Sequence, residues 1–424
     1  MSRNMKTVHI LLLFLHVCWY DVGQNFRLYR TDFKSIGGKR LQCNRFRRLT
    51  SRSGNFDMFS PLQDGLMTTA LCSSSGSVSD IIPRIAQVDG LDWEKTWMVV
   101  ISCAKSESGK RSLREGGGMQ EISDIERCFD MIGELRSLRA RSKMRDFDEG
   151  FSFASIADVE DILHRVSSAG VVEVEELQTL RTTARTLRQV NDKMQSEEVS
   201  WLCPTVLQCW RERSGKTVPA QLIKVLNQNL KDDGQLNLSR HREVQELKDK
   251  YLRLQEIIAT TANMPRKLHP LTQEMENIKQ AYLQAIHQIL RQISRDIAPH
   301  APDMLDALRA SAFLDGLCAR ERVALMMGAS RPLVGAHGII QVQGCQHPLL
   351  ALRGAAPVGN DLRLDSSTRG LVVTGPNGGG KTILLKTVGL FAKLVQHGCW
   401  LPCNAGSRFD KFDHVLCSIG DGQD

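Results

Sequence analysis

The residues with the clearest chemical signature lie near the end of the chain, where Gly375 to Thr382 read GPNGGGKT. They satisfy the pattern G-x-x-x-x-G-K-[ST], in which glycines allow backbone N–H groups to curl around phosphates. Lys381 then supplies a positive charge to the β- and γ-phosphates, and the Thr382 hydroxyl is a ligand of Mg²⁺. The octapeptide therefore predicts a site for ATP and Mg²⁺. The predicted contacts are Gly375, Pro376, Asn377, Gly378, Gly379, Gly380, Lys381, Thr382 and Ile383, with Thr382 as the metal ligand.

The residues around this loop have the pattern that would position it. The run GLVV, residues 370–373, predicts a short buried strand before the loop. After the loop, apolar residues recur at helical spacing, and Gly398 follows as a stop signal. These residues are Leu384, Val388, Phe391 and Val395. A strand, a glycine loop and a helix in this order place phosphates at the positive end of the helix dipole.

The composition is typical of a large, helix-rich protein and does not by itself indicate a ligand. The chain has 424 residues, enough for two to four domains, with 42% hydrophobic and 6% aromatic residues. Its net charge is +8, but residues 1–55 alone carry +9, so the rest of the chain sums to −1. Bulk charge therefore does not indicate a nucleic acid partner. Twelve cysteines without a C-x-x-C pair favour reduced, mostly buried thiols over a zinc site.

The first sixty residues have the features of a targeting sequence. Two basic residues precede a mostly apolar run from Val8 to Trp19, which is too short to span a bilayer but fits the core of a signal peptide. The stretch that follows is rich in Arg and Ser and nearly free of acids. This arrangement resembles the two-part presequence of algae with secondary plastids and predicts a plastid protein. A mitochondrial presequence and a mispredicted gene start are the alternatives.

The body of the chain predicts helices. Residues 92–117 are expected to form one helix that ends at the glycines 116–118, and residues 122–144 are expected to form another. Residues 155–194 predict two helices that are broken near Ser168–Gly170. A further helical stretch, residues 302–328, follows Pro299 and Pro302.

Two longer patterns between these helices predict an antiparallel hairpin. Apolar residues step by three and four along each arm, as in the seam of a coiled coil. The two series are Val244, Leu247, Tyr251, Leu254 and Ile258, then Met275, Ile278, Tyr282, Ala285, Ile289 and Ile293. Pro265 and Pro270 lie in the connection, which is expected to span about a dozen residues, with arms of roughly 20 Å. A hairpin that only packs against its neighbours is the alternative to a protruding lever.

The loop and its surroundings resemble the ATPase domain of the MutS family, and within it the type-two MutS branch of bacterial and plastid proteins. The resemblance rests on TGPNGGGKTILLKTVGL and covers roughly residues 87–424. Further segments follow that branch in order: GLDWEKTWMVV, IADVEDILHRVSSAGVVEVEELQTLRTTARTLR, DDGQLNLSRHREVQELKDKYLRLQEII, GCQHPLL, GNDLRL and FDHVLCSIGDGQ.

The resemblance implies further site residues and a function. The family rests the adenine ring against the segment at residues 357–361, so Val358 and Asn360 are expected to contact the base. His347 matches a family landmark, as a structural histidine or a nucleotide contact. Asp421 and Gln423 match a motif near the nucleotide. The implied protein is an ATP-dependent homodimer, joined through its ATPase domain, that binds branched or mismatched DNA and restrains recombination, with no stable membrane association. The alternatives are a related ATPase that rescues stalled ribosomes and a non-hydrolysing fragment.

The chain also departs from the family. The DNA-clamping insertion at the tip of the lever is missing, and no mismatch-reading domain precedes the helical body. No acidic pair of the kind that holds Mg²⁺ and orients water follows Thr382, and the signature helix and the nuclease domain of many members are also missing. A truncated or misjoined gene model is therefore the expectation, and the chain as written is expected to bind ATP without hydrolysing it.

The predicted fold class is α plus α/β, with a helical core and a coiled-coil lever hairpin followed by the start of an ABC-type P-loop ATPase domain. The expected divisions are a presequence at 1–60, a linker at 61–86, a helical core at 87–235, the lever hairpin at 236–298, core helices at 299–335 and the incomplete ATPase domain at 336–424.

Overall fold

Helices dominate the part of the chain that the structure describes. The computed structural model describes residues 9–13, 27–35, 41–49, 90–143, 147–214, 218–261, 265–353, 357–368, 370–376 and 378–418. Two compact units are present. The first unit consists of Met1–Cys103, Gly116–Gly133 and Ala319–Asp424, and the second unit consists of Ala104–Glu115 and Glu134–Cys318.

The helices and strands follow one another along the chain with short connections. The helices are α1 (Trp93–Cys103), α2 (Glu107–Glu115), α3 (Ile122–Ser142), α4 (Asp148–Phe151), α5 (Glu160–Ser167), α6 (Val174–Met194), α7 (Glu197–Leu202), α8 (Pro204–Ser214), α9 (Ala220–Asn229), α10 (Arg242–Thr261), α11 (Pro265–Ile297), α12 (Ala301–Met326), α13 (Pro348–Leu352) and α14 (Lys381–Gln396). Single turns of 3₁₀ helix lie at Phe153–Ser155, Leu238–Arg240 and Ala298–His300. The strands are β1 (His9–Leu13), β2 (Arg27–Ser35), β3 (Leu41–Leu49), β4 (Ile340–Cys345), β5 (Asn360–Leu364), β6 (Gly370–Thr374), β7 (Arg408–Phe409) and β8 (His414–Ser418).

The prediction of one helix over residues 92–117 is wrong, because the chain breaks between α1 and α2. At the break, the buried carboxylate of Asp315 on α12 accepts hydrogen bonds from the backbone N–H groups of Lys105 and Ser106 at 2.9 and 2.8 Å, and from the Ser106 hydroxyl at 2.7 Å. Three donors at the start of α2 are thus satisfied by a side chain more than 200 positions away. In a helix that continued through Lys105 and Ser106, these N–H groups would donate to backbone carbonyls of the helix. The buried carboxylate of Asp315 would then lose these hydrogen bonds.

The other predicted helices of the second unit are present. Residues 155–194 form α5 and α6, and the break falls at the predicted place, where Gly170 N–H donates to the Arg165 carbonyl at 2.8 Å. Along α6, the buried apolar residues are spaced by three and four, as the sequence pattern requires. They are Leu177, Leu180, Ala184, Leu187, Val190 and Met194.

The predicted hairpin is present, but its connection is much shorter than expected. Helices α10 and α11 contact each other, and three residues separate them in sequence, so they run antiparallel. The predicted connector is wrong because α11 starts at Pro265 and continues through Pro270. A proline costs nothing as the first residue of a helix, and Pro270 forfeits a single hydrogen bond close to that end. The arms have 20 and 33 residues, or about 30 and 50 Å.

The apolar seam of the hairpin lies where the sequence placed it. Every predicted seam residue of α10 and α11 is buried or half-buried, and most of the residues between them are exposed. Val244, Leu254, Ile289 and Ile293 are the most buried of them. None of the helices in the described part of the chain is both long enough and apolar enough to cross a bilayer.

Strands β5, β4 and β7 form a small antiparallel sheet, in that order. Its buried side is apolar, since Ile340 on β4 pairs with Leu364 on β5 and with the fully buried Phe409 on β7. Elsewhere in the first unit β6 pairs antiparallel with β2, β2 also pairs with β3, and β1 runs parallel to β8. Among the nine cysteines whose side chains the structure describes, eight are buried, as predicted.

Candidate functional site

The predicted strand, loop and helix are all present. Strand β6 leads into the loop, and α14 begins at Lys381 directly after Gly380. Gly378 and Gly380 have φ angles of 84° and 81°, in the left-handed region that favours glycine. A Cβ on Gly378 would meet no atom within 4 Å, so the space above the loop is open. The turn closes through Gly379 N–H, which donates to the Pro376 carbonyl at 3.1 Å.

Lys381 holds its ammonium group against the loop. The Nζ atom donates to the carbonyl oxygens of Gly375 and Pro376, in the latter case at 2.9 Å. The side chain therefore curls back over the start of the loop. A cation next to a helix N-terminus and two left-handed glycines is the arrangement that receives a polyphosphate. Thr382 is half-buried next to it, and Ile383 is 45% exposed.

Helix α14 is anchored by its apolar face. The four residues predicted to line this face, Leu384, Val388, Phe391 and Val395, are all buried. Phe391 also meets Phe409 of β7 edge to face, at 5.9 Å between ring centroids. The helix ends before Gly398, as predicted. Burial of this face fixes the helix, and its exposed N-terminus is left to face a ligand.

Sequence reasoning missed that the start of α1 contacts a second face of α14. Near the loop, Lys386 Nζ lies 2.6 Å from the carboxylate of Asp92, the residue before α1. At the other end, the His397 ring lies 4.7 Å from the Trp93 ring and 4.8 Å from the Trp97 ring. Lys386 and His397 are eleven residues apart, close to three helical turns, and so share one face of the helix axis. The spacing of Lys386 and His397 is visible in the sequence, but the sequence does not predict that α1 is the helix that contacts them.

The charges on this face are partly buried. The side chains of Lys386 and Asp92 are 23% and 21% exposed. The hydrogen bond from Lys386 is the main reason that the pKa of Asp92 lies below its usual value, and a second one from Lys95 adds to it. Burial lowers the pKa of His397 to about 4, so its ring is neutral near pH 7.

His347, singled out by the sequence, is buried immediately before α13. Burial lowers the pKa of this imidazole, with opposite electrostatic influences from Asp92 and Lys386. The chain thus brings His347 near the ion pair behind the loop helix. Both the structural role and the nucleotide contact stay predictions for His347.

The residues expected to contact the base lie at the start of β5. Val358 is 86% exposed, and the Asn360 amide donates to the Val358 carbonyl at 3.3 Å. The segment is held to β4, since Gly344 N–H donates to the Asp361 carboxylate at 2.8 Å. Their role toward a base stays a prediction. Asn377, Asp421 and Gln423 lie outside the described residues.

Comparison with known proteins identifies the relatives of the chain. No family model matches it. It is 26% identical over 365 residues to endonuclease MutS2 of Halothermothrix orenii, an alignment that covers 81% of this chain and 45% of that protein. It is 34% identical over 165 residues to endonuclease MutS2 of Bacillus velezensis, and 33% identical over 165 residues to the putative endonuclease MutS2 of Bacillus subtilis. The chain is a MutS2 homologue. MutS2 is the type-two MutS branch, so the family resemblance is confirmed.

The alignments cover only part of each relative, which limits what can be inferred about function from the similarity. Each of the last two alignments covers 39% of this chain and 21% of the relative. The chain spans less than half the length of the curated MutS2 proteins that it matches. What a complete MutS2 protein does is therefore not transferred to this MutS2 homologue by similarity alone.

Proposed function

We propose that this MutS2 homologue binds ATP with Mg²⁺ at the loop of residues 375–382 and uses the nucleotide to control its binding to branched or mismatched DNA. The observation that carries the nucleotide part is the geometry of the loop. Two left-handed glycines, a lysine ammonium and the free N-terminus of α14 converge on one open space.

Each residue has a defined task in this proposal. The N–H groups of the glycine loop and of the first turn of α14 donate to the phosphate oxygens. Lys381 exchanges its two carbonyl partners for the β- and γ-phosphates, and the Thr382 hydroxyl is a ligand of Mg²⁺. The magnesium ion neutralises phosphate charge. Val358, whose side chain is 86% exposed, offers an apolar surface to the adenine ring.

The DNA part of the proposal is supported by the relation to MutS2, since those proteins are named as endonucleases. The proposed MutS fold, with a helical core, a lever hairpin and a P-loop ATPase domain, supports it too. ATP would favour a dimer of two such ATPase domains, and the helices would pass this change to the bound DNA. The proposal concerns nucleotide binding and switching.

The first experiment measures ATP binding in the presence of Mg²⁺ by calorimetry. Lys381→Ala removes the phosphate-facing charge and is expected to abolish measurable binding. Lys393→Ala is the matched control, because Lys393 lies on the same helix about 18 Å from Lys381 and would leave the affinity unchanged. If Lys381→Ala binds ATP as tightly as the wild type, the nucleotide site is wrong.

The second experiment tests the partner. The wild type is offered four-way DNA junctions in competition with ribosomal subunits, with and without ATP. Preference for junctions, changed by ATP, supports the DNA function. Preference for ribosomal subunits contradicts it and favours the ribosome-rescue alternative.

Plastid localisation is proposed separately, from the composition of residues 1–60. A fusion of these residues to a fluorescent protein is expected to enter plastids of a suitable alga. Fluorescence in mitochondria or the cytosol would contradict it.

A further inference from the structure

The start of α1 contacts the loop helix at two places. Lys386 lies in the second turn of α14 and binds Asp92 at 2.6 Å. His397, just beyond the other end of α14, packs against both Trp93 and Trp97, whose rings stack on each other. Arg320 fixes the same corner, since its Nε donates to the His397 carbonyl at 2.9 Å and its guanidinium lies over the Trp97 ring. The loop helix is therefore held at two points, one of them close to the loop.

The point close to the loop depends on a residue in an unusual conformation. Asp92 has a φ of 58°, in the left-handed region. Its carbonyl accepts from both Thr96 N–H and the Thr96 hydroxyl, at 3.1 and 2.9 Å. One oxygen of its carboxylate accepts from Lys386 at 2.6 Å, and the other accepts from Lys95 of α1 at 2.7 Å. Helix α1 itself is anchored by a buried side that includes Trp97, Val100 and Ile101.

The geometry of a phosphate site at a helix N-terminus depends on the direction of that helix. Lys386 follows Lys381 by five residues, or about 7.5 Å along the axis. A change in the direction of this turn would move the N–H groups and the Lys381 ammonium that face the ligand. Displacements on the order of 1 Å are enough to weaken recognition at such sites.

We propose that Asp92 is a positioning residue of the nucleotide site, which acts through Lys386 to fix the direction of α14. This inference rests on the proposed nucleotide binding and adds a contribution from outside the loop. Neither Asp92 nor Lys386 contacts the loop residues through a described hydrogen bond, so the effect is transmitted through the helix.

The test measures the ATP dissociation constant with Mg²⁺ in the full chain. Asp92→Asn keeps the shape of the side chain and the tolerance for a left-handed backbone but removes the charge. It is expected to weaken ATP binding about fivefold, at the low end of coupling between sites. Lys386→Gln is expected to weaken ATP binding to the same extent. The double variant is expected to bind ATP no more weakly than either single variant, because all three variants lose the same ion pair.

Two variants distinguish positioning from a general loss of stability. Lys386→Arg retains the charge and is expected to bind ATP nearly as the wild type does. Lys95→Gln removes the other partner of Asp92, which lies 2.7 Å from it but is 70% exposed and belongs to α1 itself. It is expected to leave ATP affinity unchanged. Melting temperatures are measured for all variants to check that they fold. If Asp92→Asn does not fold, the ATP affinity of Lys386→Gln decides the test.

The outcomes are separable. If Lys381→Ala abolishes binding while Asp92→Asn and Lys386→Gln bind as the wild type does, the positioning role is wrong and the nucleotide site stands. Additive losses in the double variant also overturn the inference. If the wild type itself shows no ATP binding, the proposed function fails, and the inference fails with it.

Discussion

Replacing Gly378 by Ala tests whether the left-handed turn of the loop is required for the nucleotide. A Cβ at this position would meet no atom within 4 Å, so the substitution adds no steric clash. The φ angle of 84° is the only obstacle. An alanine in that region costs roughly 1–2 kcal/mol relative to its preferred conformations.

The expected loss of ATP affinity depends on the state in which the strain is present. The loop is exposed and can relax when no nucleotide is bound. The alanine therefore has to adopt the unfavourable left-handed conformation when ATP binds, and this strain weakens binding. A cost of roughly 1–2 kcal/mol corresponds to a dissociation constant for ATP that is raised about five- to thirtyfold. The melting temperature is expected to change little.

Two other glycines separate strain from side-chain volume. Gly406 has a φ of 82° and, like Gly378, has no atom within 4 Å of an added Cβ, but it lies in the turn before β7. Gly406→Ala is expected to lower stability by roughly 1–2 kcal/mol without changing ATP affinity. Gly117 has the same open space without a positive φ, so Gly117→Ala is expected to change neither.

The assay is calorimetric titration of ATP with Mg²⁺, together with urea unfolding of each variant. Wild-type affinity in Gly378→Ala would refute the reasoning, because the left-handed conformation would then be unnecessary for binding. An equal loss of affinity in Gly406→Ala would refute it as well, since the effect would not belong to the loop.

Two predictions concern stability. Asp315→Ala deprives Lys105 and Ser106 of their acceptor and is expected to cost about 3 kcal/mol of unfolding free energy, whereas Asp306→Ala on the same helix is expected to cost under about 0.5 kcal/mol. Equal losses in urea unfolding would contradict the role of Asp315. Burial lowers the pKa of His397 from 6.5 to about 4, so its stabilising effect is complete above pH 6.5 and declines as the pH falls toward 4. On the order of 2 kcal/mol of unfolding free energy is lost by pH 5. His397→Phe is expected to remove this part of the pH dependence. Parallel curves of stability against pH for the variant and the wild type would show that another group is responsible.

The features that the sequence predicted correctly are those that local patterns determine. The seam of the hairpin, the break near Gly170 and the buried face of α14 all follow from the spacing of apolar residues and from glycine. The loop conformation follows from the glycines at 378 and 380. In each case the residues that decide the structure lie within a few turns of one another.

The features that the sequence did not predict depend on distant residues. The gap between α1 and α2 depends on Asp315, and no pattern near Ser106 reveals that acceptor. Proline at 265 and 270 indicated a loop, but the packing of α10 on α11 outweighs one lost hydrogen bond. The pairing of Asp92 with Lys386 joins two helices whose own sequences are unremarkable.

The pairing of α1 with α14 has a consequence for biosynthesis. Asp92 and Lys386 are 294 positions apart, so a ribosome that adds about 5–20 residues per second needs about 15–60 s to produce the second after the first. Until Lys386 has been made, the tryptophans of α1 have no loop helix to cover them, whereas the second unit, which ends at Cys318, is complete before that point. The nascent chain is therefore expected to expose the apolar side of α1 longer than any part of the second unit, and this side is where chaperones would be needed.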